Sequence, residues 1–471
     1  MHRHFRDCQA WRDEGLPLST TSNEAAKMFD ASLTQYVSWY DDPQLGGLEN
    51  TLKKLKEADP SFVMGHVLEN GLTCMATGLS AKVDLGFKSY IDSMVTLAEK
   101  SNITERERKH VNAVKLWTDG YSNEAAAIWE DILIEHPTDM TAIKMAHDTY
   151  FYLGKQAEMR DSIARTLPLW KQNQPLYGYL FGMHSFGLVE SNFYSEAEIA
   201  AKKGLEFNKN DAWSTHALCH VYEMECRPDE GISFVTRTMN DWTICGMLAC
   251  HNFWHWAVFY LEKGETNSAL NLYDNQVAKR VKSGALLDIV DACSLLFRLE
   301  MEGVDVGSRW NDLFEICRPH LEDHILVFND IHLLMACLGA KKKDVADVFM
   351  ESIKNYVSNN LSETNKRITH EVGQQMFEAF QAYDEGNFEK AVELFNPIRY
   401  RIVEIGGSNA QRDIFNLFLI HSCLKSSNKK HHALARTLLL ERKSLRPNSP
   451  MTERLIGQSL QKHYLGEGHM I

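Results

Sequence analysis

Apolar and polar residues follow one another along this chain with the spacing of helices, not of strands. Leu48, Leu52 and Leu55 stand four and three residues apart after Gly46-Gly47, and Asp59-Pro60 closes the run. The stretch from Met247 to Leu261 is mostly apolar but is interrupted by His251, Asn252 and His255, which suits a buried helix and not a membrane span. No Asn-Gly or Asp-Gly hairpin turn lies between alternating apolar runs; Asp119-Gly120 sits between two helical patterns. Thr21 to Glu24 and Thr104 to Glu107 each fit the T-x-x-E box that satisfies two orphan donors at a helix start. Pro60, Pro137, Pro168, Pro228, Pro397 and Pro447 punctuate helical stretches, because proline cannot continue a helix. These signals predict an all-α chain.

The helices repeat. Gly120, Ala125 and Pro137 carry the marks of a helical hairpin of about 34 residues: a glycine turn, a small residue five later, and a proline 17 after the glycine. Glycine permits the tight turn, the small residue lets two helices approach, and Trp129 fills the large apolar slot of the second helix. Gly264, Ala269 and Tyr273 repeat the arrangement, as do Gly386, Phe388, Ala391 and Phe395. Weaker turns at Gly154, Asn192 and Cys226 make the steps from 120 to 264 equal to 34, 38, 34 and 38 residues. Turns near Gly303 and Gly339 extend the array. The prediction is a tetratricopeptide-like helical-hairpin solenoid, a superhelix, running as one continuous array over 1–471. Its clearest units lie near 106–139, 178–211, 250–283 and 372–405. Ser358 to Lys366 and Lys425 to His431 read as short polar linkers, without a domain boundary.

Charge and cysteine content narrow the function classes. With 63 acidic against 50 basic residues the net charge is −13, and Lys341, Lys342 and Lys343 form an isolated triplet. Phosphate backbones are held by clustered Lys and Arg, so nucleic acid is not expected as a partner. Ten cysteines without a C-x-x-C pair fit a reducing compartment. The segment from Met1 to Asp7 lacks the apolar core of a signal peptide. A cytoplasmic chain without a membrane span is expected.

Several longer words are distinctive: Arg6-Asp7-Cys8-Gln9-Ala10-Trp11, the run from Leu16 to Ala25, and His136-Pro137-Thr138-Asp139-Met140. Others are the run from Met247 to Asn252, Trp254-His255-Trp256-Ala257, and the run from Gly406 to Asp413. In these the chain resembles the tetratricopeptide repeat protein 38 family, nearly end to end. The resemblance implies a cytoplasmic or broadly soluble repeat protein and carries no activity over to particular residues.

Histidine supplies the candidate chemistry. His110, His147, His184, His220 and His255 step by 35 to 37 residues, Asp291 follows 36 after His255, and His216 and His251 differ by 35. Each falls in the first helix of its repeat, the helix that lines the concave groove of such superhelices. His216 and His220, like His251 and His255, are four apart and share a helix face, with Glu223 continuing the first face. The zinc-hydrolase pattern H-E-x-x-H fails at both pairs, where Ala217 and Asn252 occupy the glutamate position. No metal and no cofactor are therefore expected. His324, Asp330 and His332 can form a base with an orienting partner or cap a helix. Gly406 to Asp413 opens a helix whose backbone N–H groups and Arg412 can hold an anion, or simply caps it. No nucleotide P-loop, G-x-S-x-G elbow or G-x-G-x-x-G accompanies them. The tryptophans Trp117, Trp129, Trp213, Trp254, Trp256 and Trp310 read as packing anchors.

These observations point to a non-enzymatic scaffold that holds a protein or peptide in its concave groove. Its expected ligand-binding residues are His216, His220, His251, His255, Asp291, Asp330, His332, Arg412 and Asp413, with none catalytic. The alternative is an enzyme with a His/Asp-rich site enclosed by the superhelix. Convergence separates the two: an enzyme gathers His220, His255, Asp330, His332 and Arg412 into one pocket, whereas a scaffold spreads them along an open face.

Overall fold

A computed structural model describes residues 4–359 and 361–467. Met1 to Arg3 of the N-terminal segment and Asn360 of the polar stretch at 358–366 lie outside the described residues. Among the described residues every regular element is a helix, and no strand is present. Successive helices pair as hairpins: Glu105–Thr118 with Ser122–Glu135, Tyr179–Glu190 with Tyr194–Phe207, and Gln374–Asp384 with Phe388–Phe395. The chain is an all-α, tetratricopeptide-like array of helical hairpins.

Local chemistry explains the turns. Gly120 and Gly386 have φ of +95° and +77°, a left-handed conformation in which a Cβ would crowd the backbone. Gly154, Gly264, Asn192 and Cys226 also have positive φ, so the 34- and 38-residue steps mark real chain reversals. Gly339 differs from its sequence reading. The left-handed residue there is Lys341 (φ +56°), and Gly339 instead lets the Trp310 ring pack against the bare helix backbone. Of the two expected capping boxes, Thr104 and Glu107 bond reciprocally as read. The earlier helix starts one residue later than read: Ser22 is its cap and accepts from the Ala25 N–H. All ten cysteines are free and buried. Among the described residues no helix is long and apolar enough to cross a membrane.

The contacts gather into two compact units. The first comprises 1–218, 238–249 and 362–364; the second comprises 219–237, 250–361 and 365–471. In the first unit, Arg106 and His110 converge on Asp139 at 2.7 and 3.0 Å. Nearby in sequence, the fully buried Lys144 pairs with Asp148 and lies 4.3–5.0 Å from the rings of Tyr36, Trp39 and Trp213. His147 bonds the Met183 carbonyl at 3.2 Å. His110 and His147 of the histidine row are thus tied into packing.

In the second unit two kinds of helix are distinct. The outer Lys343–Tyr356 buries only Ala346, Phe349, Met350 and Ile353, one apolar stripe. By contrast, 13 of the 16 residues of Leu286–Met301 are buried, among them Asp288, Asp291 and Arg298. That helix packs on Val327–Gly339 and also on Asn409–Lys425, more than a hundred residues downstream. First helices that touch on all sides enclose whatever polar groups they carry.

Candidate functional site

A polar side chain on a helix buried all round must find its partner inside, since an unpaired buried group costs roughly 1–3 kcal/mol. In the second unit these partners form one centre. His251 and His255 stand one turn apart on the helix Gly246–Lys263. The His251 Nδ1 lies 2.6 Å from Asp291 Oδ2, on Leu286–Met301. The His255 Nδ1 lies 2.8 Å from Glu223 Oε2, on Ala212–Met224. His220, three residues before Glu223, puts its ring 4.4 Å from that of His255 and 6.1 Å from that of His251. The latter two rings are 4.7 Å apart. Gln411 donates from Nε2 to the other Asp291 oxygen at 3.2 Å, while its Oε1 accepts from the Ser408 N–H in a reciprocal helix cap. The cap therefore fixes which way the amide faces.

Electrostatics set the protonation of the centre. Burial pushes His220 well below the usual histidine range, and His255, His251 and Arg412 act in the same direction. Burial likewise pushes His255 down, with His251 and Arg298 adding to it. Both imidazoles are held neutral, the form that ligates or accepts a proton. Burial raises Glu223 to about 7 against the opposing pull of Arg446 and Arg298. Beside this centre lies an arginine layer. Asp413 accepts both Nη groups of Arg442, with Arg446 at 3.4 Å and Arg298 at 3.9 Å. Burial alone would raise the Asp413 carboxyl, but Arg442 and Arg446 hold it far below the usual range. Arg298 also donates to the Ala410 carbonyl at 2.9 Å and lies 5.7 Å from the Trp254 ring.

The nine sequence candidates divide. His220, His251, His255 and Asp291 meet in the centre, and Asp413 anchors the arginine layer. His216 stands one turn before His220 on the same helix, its ring 5.0 Å from Phe186. Arg412 donates to the Gly406 and Gly407 carbonyls and to Asn409 Oδ1, so it braces its own loop. His332 donates Nδ1–H to the Phe328 carbonyl at 2.7 Å, and burial pushes it down to about 4. Asp330 leaves the group and pairs with His324 at 3.3 Å. Asp291 takes His251 as its partner, not His255 as the 36-residue interval suggested. The most exposed of the nine, Arg412, is only 7% accessible, so none lies on an open face.

Arg298, Arg442 and Arg446 escaped the sequence reading, as did the role of Gln411. Their partners lie 29 to 120 residues away, and no local motif announces them. Asn252 was noticed only as the residue standing where H-E-x-x-H requires glutamate. It is fully buried, and neither its Nδ2 nor its Oδ1 is hydrogen-bonded among the described residues. Glu223 Oε1 and His332 Nε2 are orphaned in the same way.

No family model matches the chain. Among solved structures it is similar to the human IFIT1 dimer with m7Gppp-AAAA, at 12% identity and a TM-score of 0.38, over 97% of each chain. It is also similar to the human IFIT1 dimer with PPP-AAAA, at 13% identity and a TM-score of 0.36, over 92% of this chain and 99% of that one. The exclusion of nucleic acid is corrected on this finding: those two human IFIT1 structures are with m7Gppp-AAAA and with PPP-AAAA. The physical fault in the exclusion is that net charge is a sum. It says nothing of where basic groups gather within a chain of net charge −13.

Proposed function

We propose that the second unit is a binding centre for an ion or a small polar molecule, surrounded by acid–base groups of the kind enzymes use. One observation carries the reading: two histidine–carboxylate pairs from three helices converge on His220, with His220, His251, His255 and Asp291 each 3% accessible or less. A peptide lying along an open groove does not reach such groups, whereas an enclosed ion or small molecule does. The orphaned polar atoms of Asn252 and Glu223 support a polar occupant, because buried donors and acceptors are otherwise satisfied. The test is a thermal-shift assay of the full chain against the low-mass fraction of a cell extract, with native mass spectrometry of any bound species. The expected result is a rise in the wild-type melting temperature that His255→Ala, itself less stable by about 1–3 kcal/mol for the Glu223 partner it abandons, does not show. No rise for wild type overturns the reading in favour of a structural core.

A second reading keeps the protein- or peptide-binding scaffold. It is supported by a separate surface groove of about 290 Å³ in the same unit, floored by Phe297, Met335, Phe380 and Phe388 and edged by Lys341, Asp384 and Lys425. Pull-down with a peptide library, and its loss in Phe380→Asp, tests that use. Membership of the tetratricopeptide repeat protein 38 family, and a cytoplasmic location, belong to this proposal; the long shared words and ten free cysteines support them.

A further inference from the structure

We infer that His220, His251 and His255 form a site for a divalent transition-metal ion, with Asp291 and Glu223 as the carboxylates that orient two of the three ligands. The inference rests on the enclosed centre proposed above and names its occupant. The ligand nitrogens lie within 4.8 Å of one another and come from two neighbouring helices. Around a tetrahedral ion at 2.0–2.1 Å they would close to about 3.4 Å, a small adjustment for side chains.

The orientation of the rings favours a metal over a plain polar core. The His251 Nδ1 faces Asp291 and the His255 Nδ1 faces Glu223, at 2.6 and 2.8 Å. With the proton on each Nδ1, the lone pair of each ring is on Nε2. Metal-ligating histidines are held in this way, the carboxylate fixing both tautomer and ring plane. Gln411 in turn fixes Asp291 from the capped helix start, a third layer of support. Three imidazole nitrogens suit zinc, cobalt or nickel; magnesium and calcium prefer oxygen. The failed H-E-x-x-H pattern does not count against the site, because that pattern puts both histidines and the base on one helix. Here the helices Ala212–Met224 and Gly246–Lys263 share the ligands; Glu223 comes from the first of these helices and Asp291 from Leu286–Met301.

The experiment uses the full chain. Elemental analysis after purification, and after dialysis against zinc, gives the metal content. Titration of chelator-treated protein with cobalt(II) reads the ligand field through its visible absorption. The expected result is about one ion per chain, with the intense absorption of four-coordinate cobalt. His251→Ala and His255→Ala lose it. Asp291→Asn keeps the histidines but weakens cobalt affinity roughly 10–100-fold and shifts the band, which a merely structural role would not do. Should the alanine variants fail to fold, wild type alone decides: the chelator lowers its melting temperature and zinc restores it. Wild type that takes up no zinc, or gives only the weak spectrum of hexa-aqua cobalt, overturns the metal. If the low-mass ligand still raises the melting temperature in that case, the enclosed centre stands and only its occupant has changed.

Discussion

Asp413→Asn probes how the arginine layer is held. In wild type the carboxylate faces Arg442, Arg446 and Arg298, and all four side chains are 7% accessible or less. The amide keeps the shape and one acceptor but removes the negative charge that faces these three buried guanidinium groups. Breaking a buried ion pair from one side costs about 3–5 kcal/mol, because the abandoned charge stays buried. Domains of roughly 150–250 residues lose about 2–4 °C of melting temperature per kcal/mol, so a drop on the order of 10 °C is expected at neutral pH.

The pH dependence has a definite sign. A carboxyl held below its unfolded value contributes stability that is present above that value and is lost as pH falls through the folded one. Arg442 and Arg446 hold Asp413 low against its burial. The gap between wild type and Asp413→Asn is therefore full at neutral pH and narrows below about pH 4, where the unfolded chain takes up the proton. Thermal melts followed by circular dichroism across that range check both parts. A variant melting within a degree or two of wild type at neutral pH refutes the argument, since it would mean that the arginines do not need this charge.

Asp211→Asn behaves in the opposite sense. Burial raises Asp211 to about 7 despite its bonds from Ser214 and Trp213, so wild-type stability falls as pH rises from about 4 towards 7, and the amide removes that fall; melts at both ends of the window check it. Gly386→Ala meets no neighbouring atom and carries only backbone strain, about 1–2 kcal/mol, whereas Gly339→Ala drives a methyl into the Trp310 ring at a cost of about 1–3 kcal/mol. Urea titration of the pair should separate the two causes, because Trp310→Leu relieves the second and leaves the first unchanged. Trp129→Ala empties a fully buried slot and costs about 3–5 kcal/mol, read as a shifted denaturation midpoint.

The turns were legible in the sequence because each is a local event. A positive φ at Gly120 or Gly386 depends on one residue, and the Thr104–Glu107 cap closes within four. Gly339 misled because glycine serves close packing as well as turns, and spacing alone does not tell the two apart. The histidines of the centre were legible as a row with the repeat period, but their partners were not. A 36-residue interval places Asp291 in the next first helix without saying which of His251 and His255 it faces. One helical turn separates those two, and the choice depends on the crossing of two helices. The arginine layer was illegible for a plainer reason. Arg298 reaches Ala410 across 112 residues, and no motif of that length exists.

The same geometry explains why the repeat is needed at all. Each histidine–carboxylate pair joins two first helices: Gly246–Lys263 supplies both imidazoles, Leu286–Met301 supplies Asp291, and Ala212–Met224 supplies Glu223. No single hairpin contains a complete pair. A hairpin taken alone would expose its histidines to water, where neither burial nor a fixed carboxylate acts on them. Only when Leu286–Met301 also meets Asn409–Lys425 does Gln411 reach Asp291 and the layer close. The centre is therefore a property of the packed array. Loosening one of those helix contacts should disable the centre before it unfolds the unit. Gln411→Leu is one such change: it removes the hydrogen bond to Asp291 and the one Gln411 Oε1 accepts from the Ser408 N–H, leaves the Ser408 hydroxyl accepting from the backbone N–H of residue 411, and costs about 1–3 kcal/mol in stability. If the centre works as proposed, this variant binds cobalt(II) measurably more weakly than wild type while it still folds. Unchanged affinity would mean that Asp291 needs no support from the downstream helix, and the argument from closure would fail.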